Sequence, residues 1–387
     1  MQEKCLGVGA DNLRSKLESW LIASLFGILL SIPLLAQLFG GSMVLRGENR
    51  VLAPFPVVKK MRELKDLPKK LEIYVNDRFG LRHQLVYLNS LFRYQIGLSS
   101  NRNIAIGKDG WLFYTADKLM EQHRALDVFK SSELEHWIRA MEAVREWLEK
   151  RDVAFYILIA PDKNTLYPEK LPQYPRRSGI RIRYDQLVER LRYSKIDFVD
   201  PRSELLAAKS KGEAVYFEGD SHWTQVGAFV AYKQLMRLIT KRFSSIEPLK
   251  DEDYEVSMNE NPVSDLATHL GLEGKLKFRA PKMTLKKRSH QTGSVQTIHK
   301  PGWGWRVTIT PTDLADAQRL LVFGDSFTDY ILGPQMLYEN FQSPVWTHHN
   351  AGTFNLELVK EYKPNVVVVQ MADRYLRLEP LTPIGMD

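Results

Sequence analysis

Two Gly-Asp-Ser triplets hold the residue types that acyl chemistry needs. Gly219-Asp220-Ser221 runs on into His222-Trp223-Thr224, and Gly324-Asp325-Ser326 runs on into Phe327-Thr328. Taken singly, each triplet also suits a turn or a helix cap. Taken together, they supply a nucleophile, a base and an acid. A serine hydroxyl attacks a carbonyl carbon only when a base takes its proton. Asp220 and His222 are two positions apart, which puts both side chains on one side of an extended backbone. There the carboxylate can fix the imidazole tautomer and stabilise its protonated form, leaving the other ring nitrogen for a hydroxyl. Ser326, His222 and Asp220 are therefore the candidate catalytic set. Ser221 is the rival nucleophile, but its adjacency to His222 points it to the opposite face of an extended chain.

These residues need a scaffold, and the flanking pattern describes one. Ser326 follows the apolar run Leu320 to Phe323 and precedes a helical pattern. It belongs at the carboxyl end of a strand, where ligands bind in open α/β sheets and helix-start amides can stabilise an oxyanion. The unbroken apolar run from Val153 to Ala160 predicts a strand buried on both faces. Ser132-Glu133-Leu134-Glu135 reads as a capping box opening a helix that carries Leu134, Ile138, Met141, Val144 and Leu148 on one side. Further helices are expected at about 183–193 and 225–243, after Thr328, and at 356–361, with strands at 197–199, near Val345 and at 366–369. This alternation predicts an α/β fold, a mostly parallel sheet with helices on both faces. Residues 245–315, with their Gly, Pro and the basic stretch Lys275 to Arg288, break the alternation and read as an inserted segment with β character. No period of 20–50 residues recurs, which excludes solenoids and propellers.

Composition bounds the rest. With 387 residues, 44% hydrophobic and 26% charged, the chain is neither wholly disordered nor a polytopic membrane bundle. The single cysteine, Cys5, excludes internal disulfides and multi-cysteine metal sites. A net charge of +8 suits an anionic partner. From Ser19 to Leu45 no residue is charged, and the roughly 20 residues from Trp20 to Gly40 would span a hydrocarbon core of about 30 Å as a helix. No small-x-small cleavage site follows, so a retained N-terminal transmembrane helix is expected. Lys and Arg flank it on both sides, which leaves its orientation open. The expected order is a tail over 1–19, a signal-anchor over 20–40, a linker and helical lead-in over 41–100, and a catalytic domain over 101–387. His348 and His349 lack the spacing to complete a zinc site with His222 and Asp220, and no metal or cofactor is expected. The stretch Lys275, Lys277, Arg279, Lys282, Lys286, Lys287 and Arg288 reads as a solvated surface or a contact for an acidic glycan. Phe278 is its single aromatic, too few to interleave with the cations, and no nucleic-acid partner is expected.

Phe217-Glu218-Gly219-Asp220-Ser221-His222-Trp223-Thr224 resembles the Asp-x-His-Trp signature of the AlgJ/AlgX alginate O-acetyltransferase family, whose catalytic domain is SGNH-hydrolase-like. Three further segments agree with it. They are Gly107-Lys108-Asp109-Gly110-Trp111-Leu112-Phe113-Tyr114, Pro161-Asp162-Lys163 with Tyr167-Pro168-Glu169, and Gly324-Asp325-Ser326-Phe327. The resemblance covers roughly residues 70–380 in the family's order, with Asp and His ahead of the nucleophile. It implies an SGNH-like three-layer sandwich that transfers acetyl groups to hydroxyls of a polysaccharide, alginate or a similar exopolysaccharide. It also implies a periplasmic catalytic domain held at the inner membrane, beside a membrane-bound O-acyltransferase that supplies the acetyl group. The N-terminal anchor is more similar to the AlgJ branch than to the AlgX branch, whose separate carbohydrate-binding module is not expected after Asp387. Carried onto this chain, Ser326 takes the acetyl group, His222 acts as general base and then acid, and Asp220 orients it. The Ser326 amide and Asn350 are the implied oxyanion donors, and Arg374 and Tyr375 the implied pocket residues. The family pattern expects a Glu before that Arg, and Asp373 departs from it. Two other readings stand beside acetyl transfer: an esterase that removes acetyl groups, and a non-catalytic scaffold that binds polymer within an export complex.

Overall fold

Continuous apolar runs become strands and periodic ones become helices. The structure is a computed structural model that describes residues 5–39, 52–172, 174, 177–286, 294–298, 307–312, 314, 317–348, 353–377 and 382–383. The chain divides into two units, Met1–Ile96 with Thr268–Leu272, and Gly97–Ala267 with Glu273–Asp387. In the first, a helix runs from Cys5 to Phe39, so the stretch expected as a tail is helical from Cys5 onward. Its window Lys16–Pro33 is long and apolar enough to cross a membrane by length and composition. Helices Leu67–Arg78 and Arg82–Gln95 follow in the lead-in, and the carboxylate of Asp77 accepts the amide of Ala53 at 2.8 Å.

The second unit is built on a seven-stranded sheet. An antiparallel hairpin comes first, β1 (Ile104–Ile106) with β2 (Leu112–Tyr114). Then come β3 (Ala154–Ala160) and β4 (Asp197–Val199), with helices Ser131–Glu149 and Arg183–Leu191 before and between them. After helix Gln225–Arg242, β5 (Tyr254–Asn259) and β6 (Ala280–Leu285) form a separate antiparallel ribbon. The remaining strands are β7 (Gln296–Ile298), β8 (Val307–Ile309), β9 (Arg319–Gly324), β10 (Gln342–His348), β11 (Thr353–Phe354), β12 (Val366–Ala372) and β13 (Thr382–Pro383). The main sheet has the order β4-β3-β12-β9-β10-β8-β7. Its first five strands are parallel, and β8 and β7 add an antiparallel edge.

Burial explains why the central strands read as unbroken apolar runs. Along β12, Val366 and Val368 enter one core while Val367 and Val369 enter the other. Along β3, Tyr156 and Leu158 alternate with Phe155, Ile157 and Ile159 in the same way. Each such side chain taken from water contributes about 1.5–3 kcal/mol, and a strand that feeds two cores has no polar face to spare. Helix Ser131–Glu149 covers one face through Trp137, Ile138, Met141, Val144 and Leu148. Helix Gln225–Arg242 covers the other through Phe229, Tyr232, Leu235, Met236 and Ile239. The result is the expected three-layer α/β sandwich.

Two expectations, both about helices, are corrected, while the inserted segment has the β character expected of it: β5 and β6 form a separate ribbon, and β7 and β8, also within 245–315, extend the edge of the main sheet. These edge strands are three residues each and carry no apolar run that would mark them. No regular helix follows Thr328. A π-type turn, Thr328–Leu332, leads into the single turn Gly333–Gln335, because Gly333 and Pro334 interrupt the helical pattern. The helix expected to open at a Ser132 capping box starts at Ser131, and Glu133 instead caps the Lys130 amide at 3.1 Å.

Candidate active site

β9 delivers Ser326 to the carboxyl edge of the parallel strands, and buried polar groups fix the turn that presents it. Asp325 is fully buried. Its Oδ1 accepts the Phe327 amide at 2.9 Å and its Oδ2 accepts the Ala372 amide at 2.7 Å. Gln370, the one polar residue inside β12, accepts the Asp325 amide at 3.1 Å and the Thr328 hydroxyl at 2.6 Å through Oε1. Gly324 leaves no room for a side chain, since a Cβ there would lie 2.9 Å from Trp346 Nε1 and 3.1 Å from Thr328 Oγ1. The turn is thereby clamped to the neighbouring strands while Ser326 itself is exposed. Its amide lies at the start of a helical turn, among the N–H groups that lack an intrahelical acceptor.

The second half of the site is a turn between Tyr216 and Trp223, which pair across it as an antiparallel bridge. Asp220 bends back on itself: Oδ1 accepts the His222 amide at 3.0 Å, an Asx-turn. The backbone is therefore turned rather than extended, and this turn is what brings the two side chains together. His222 Nδ1 lies 2.7 Å from Asp220 Oδ1, and Nε2 lies 2.7 Å from Ser326 Oγ. Trp223 ties the two halves, donating from Nε1 to the Phe327 carbonyl at 3.2 Å. The Phe327 ring sits 5.0 Å from both the His222 and Trp223 rings. Immediately after, Thr224 caps helix Gln225–Arg242 by accepting the Gly227 amide, and a Cβ on Gly227 would come within 2.1 Å of the Val215 carbonyl.

Charge decides the proton positions. Burial works against ionisation of Asp220, but the hydrogen bond and charge of His222 and the amides of Asp265 and His222 outweigh it, bringing the carboxyl down to about 2. An ionised carboxylate only accepts, so Nδ1 carries the proton and Nε2 is left as the acceptor facing Ser326. Ser221 does not share that position. Its hydroxyl donates to Asp265 Oδ2 at 2.5 Å and lies 3.4 Å from Nδ1, on the Asp220 side of the ring. Asp265 was not singled out from sequence. Its amide donates to Asp220 Oδ2 at 2.9 Å and its Oδ1 accepts the Ser221 amide at 2.9 Å. Burial and the neighbouring Asp220 charge raise its own pKa. Asp220, His222 and Asp265 offer ligand atoms within 4.8 Å of one another, the spacing of a small cation site, but the closest contacts among them are the hydrogen bonds just described.

The remaining expected residues differ in burial. Arg374 is buried against the turn itself: its guanidinium and amide bind Asp162, and Nη2 reaches the Ser221 carbonyl at 3.4 Å. Burial opposes its charge, but Asp162 outweighs this and raises its pKa. Tyr375 is partly buried, packed against both cores. Asn350 and His349 lie outside the described residues, as do Lys287 and Arg288. Lys275, Lys277, Arg279, Lys282 and Lys286 are exposed, with Arg279 paired to Glu260 at 2.7 Å. Phe278 of that stretch packs against Gly219, where a Cβ would meet its ring at 2.2 Å. Lys163 is buried, with its ammonium on three carbonyls of the turn, of Phe217, Glu218 and Asp220, at 2.7–3.0 Å. Sequence carried a signal for Lys163 and Gln370, one in a resembling motif and the other as a lone polar residue in an apolar strand. For Asp265 there was none.

Comparison with known proteins bears on the family and the fold. The chain is 27% identical over 225 residues to a probable alginate O-acetylase AlgJ of Pseudomonas fluorescens, and 27% identical over 223 residues to its counterpart in Pseudomonas syringae pv. tomato. Each match takes in 57% of this chain and 55% of the relative, so the chain spans about half the length of the curated relatives it matches. Among solved structures, Bacillus cereus PatB1 with a sulfonyl adduct superposes with a TM-score of 0.52 at 19% identity, covering 70% of this chain and 97% of that one, a likeness of fold. The family model described as the SGNH hydrolase-like domain of the acetyltransferase AlgX matches residues 104–362. That range runs from β1 through the Asp220–His222 turn and Ser326 to the helix before β12, and over it the chain belongs to the AlgX-type SGNH hydrolase-like acetyltransferase family.

Proposed function

We propose that this protein is a polysaccharide O-acetyltransferase that works through an acetyl-Ser326 intermediate. The observation that carries the reading is the unbroken chain Asp220–His222–Ser326, with two contacts of 2.7 Å and an exposed hydroxyl at its end. Ser326 Oγ attacks the carbonyl of an acetyl ester while His222 Nε2 takes its proton, and Asp220 stabilises the imidazolium. The tetrahedral oxyanion faces the Ser326 amide, and Asn350 is the proposed second donor. Collapse expels the leaving group, which takes the proton from His222. A sugar hydroxyl then gives its proton to His222 and attacks the acetyl-serine, and Ser326 is regenerated as the sugar ester forms.

The AlgJ relatives favour alginate or a similar exopolysaccharide as acceptor. The exposed cations Lys275, Lys277, Arg279 and Lys282 are suited to an acidic polymer. The same reading places the catalytic unit in the periplasm, held at the inner membrane, with a membrane-bound O-acyltransferase as acetyl supplier. The full chain in detergent, incubated with an activated acetyl ester, gains about 42 Da by intact mass, the mark of covalent catalysis. Ser326→Ala gains nothing. An unmodified wild type, or an adduct that survives Ser326→Ala, overturns the reading. Adding a uronate oligosaccharide then separates the chemistries: acetylated sugar marks a transferase, and free acetate alone marks an esterase.

A further inference from the structure

The turn that carries Asp220 and His222 has an unusual property: its carbonyls point inward and each meets a donor. Lys163 Nζ donates to the carbonyls of Phe217 at 2.9 Å, Glu218 at 3.0 Å and Asp220 at 2.7 Å. The hydroxyl of Ser264 donates to the carbonyl of Gly219. Arg374 Nη2 reaches that of Ser221, and the Phe217 amide reaches that of His222 at 3.3 Å. An ammonium has three N–H donors, and all three of Lys163 are spent on one turn. Lys163 is 3% exposed, and burying a charge without a hydrogen-bonded carboxylate is costly unless each donor is satisfied.

We propose that Lys163 is the positioning residue of the site: by gathering these carbonyls it fixes the turn and so holds the Asp220–His222 pair opposite Ser326. This rests on the acetyl-transfer reading above. The inference also accounts for two motifs that the Ser-His-Asp chemistry leaves unused. In the Gly107–Tyr114 segment, Trp111 and Phe113 lie with their rings 5.7 and 5.1 Å from Nζ, within cation–π range, and the Leu112 amide donates to the Glu218 carbonyl at 2.9 Å. In Pro161-Asp162-Lys163, the aspartate holds Arg374 against the same turn. The charged groups facing the ammonium are Glu218 and Asp220 on the turn, Asp265 beyond it and Arg374 past β12. Burial lowers the Lys163 pKa to about 7, with Asp220 and Asp265 opposing that shift.

Lys163→Met keeps the bulk of the stem and removes the three donors. In the full chain, acetyl-Ser326 formation from an activated ester should slow about 100-fold, the scale of a displacement near 1 Å, while KM for the ester holds and the protein stays folded at the assay temperature. A smaller variant, Lys163→Ala, should lose the same rate and recover part of it on addition of methylammonium or propylammonium, which restore a cation to the turn. A Lys163→Met protein that acylates at the wild-type rate overturns the inference while leaving the acetyl-transfer reading intact. Rate losses that follow loss of folded protein, with no amine rescue of Lys163→Ala, overturn it in favour of a plain folding role. Absence of acylation in the wild type would instead strike at the reading on which it rests.

Discussion

Asp220 is the residue at which the hydrogen-bonded chain is most exposed to test. Asn in its place keeps the Asx-turn acceptor but offers His222 Nδ1 a neutral group, and the tautomer that leaves Nε2 free is no longer enforced. Asp220→Asn should slow acylation of Ser326 about 10³- to 10⁴-fold with the fold intact. Ser221→Ala is the control on the same turn. Its hydroxyl serves Asp265 and lies on the Nδ1 side, so acylation should continue near the wild-type rate. Pre-steady-state mass spectrometry of both variants decides the matter, and a Ser221→Ala protein as inert as Ser326→Ala would reassign the nucleophile. That the pair could be chosen from sequence follows from their chemistry. Few residue types act as nucleophile, base and orienting acid, and a spacing of two between Asp and His narrows the search further. Asp265 stayed hidden because it reaches Asp220 through a main-chain amide 45 residues away, and any residue type but proline can supply that donor.

At the scale of elements, the central strands were legible because burial on both faces leaves β3 and β12 apolar throughout, Gln370 excepted. The strands at that sheet's edge, β7 and β8, were not, since strands of three residues at the margin of the sheet need no long hydrophobic run. What lies just beyond β12 shows how a strand end stores charge. Asp373 is buried, accepts the Thr165 hydroxyl at 3.2 Å, and has its pKa raised to about 7, by burial first and by the Asp162 charge second. Unfolded, it titrates near its ordinary value of 3.8. Between about pH 4 and 7 the folded protein therefore keeps a proton that the unfolded chain has released, and stability from this group falls as pH rises through that window. Asp373→Asn has no proton to lose. Its stability relative to wild type should rise from near zero at pH 4 to a plateau above pH 7 of at most about 4 kcal/mol. Denaturant unfolding at several pH values reads this directly, and a difference that stays constant with pH would show that the carboxyl is ionised throughout.

For the whole molecule, the N-terminal helix raises the question of where the chemistry takes place. The helix Cys5–Phe39 has 35 residues, but its apolar window, Lys16–Pro33, has 18. At 1.5 Å per residue that window is about 27 Å long, close to a hydrocarbon thickness of about 30 Å. Trp20, Leu21, Ile22, Leu25, Phe26 and Leu29 on it are all exposed, a concentration of apolar side chains that soluble surfaces avoid and lipid tails accommodate. Under the proposed acetyl transfer to an exported polymer, an anchor of this kind would keep the enzyme at the membrane that the polymer crosses. The full protein should therefore remain in the membrane pellet after alkaline extraction, and a variant lacking residues 1–45 should be released. Protein recovered from that pellet should retain residues 5–39 by N-terminal sequencing. A pellet-free wild type whose sequence starts beyond the apolar window would replace the anchor with a cleaved signal, and acetyl delivery would then have to reach a diffusing enzyme.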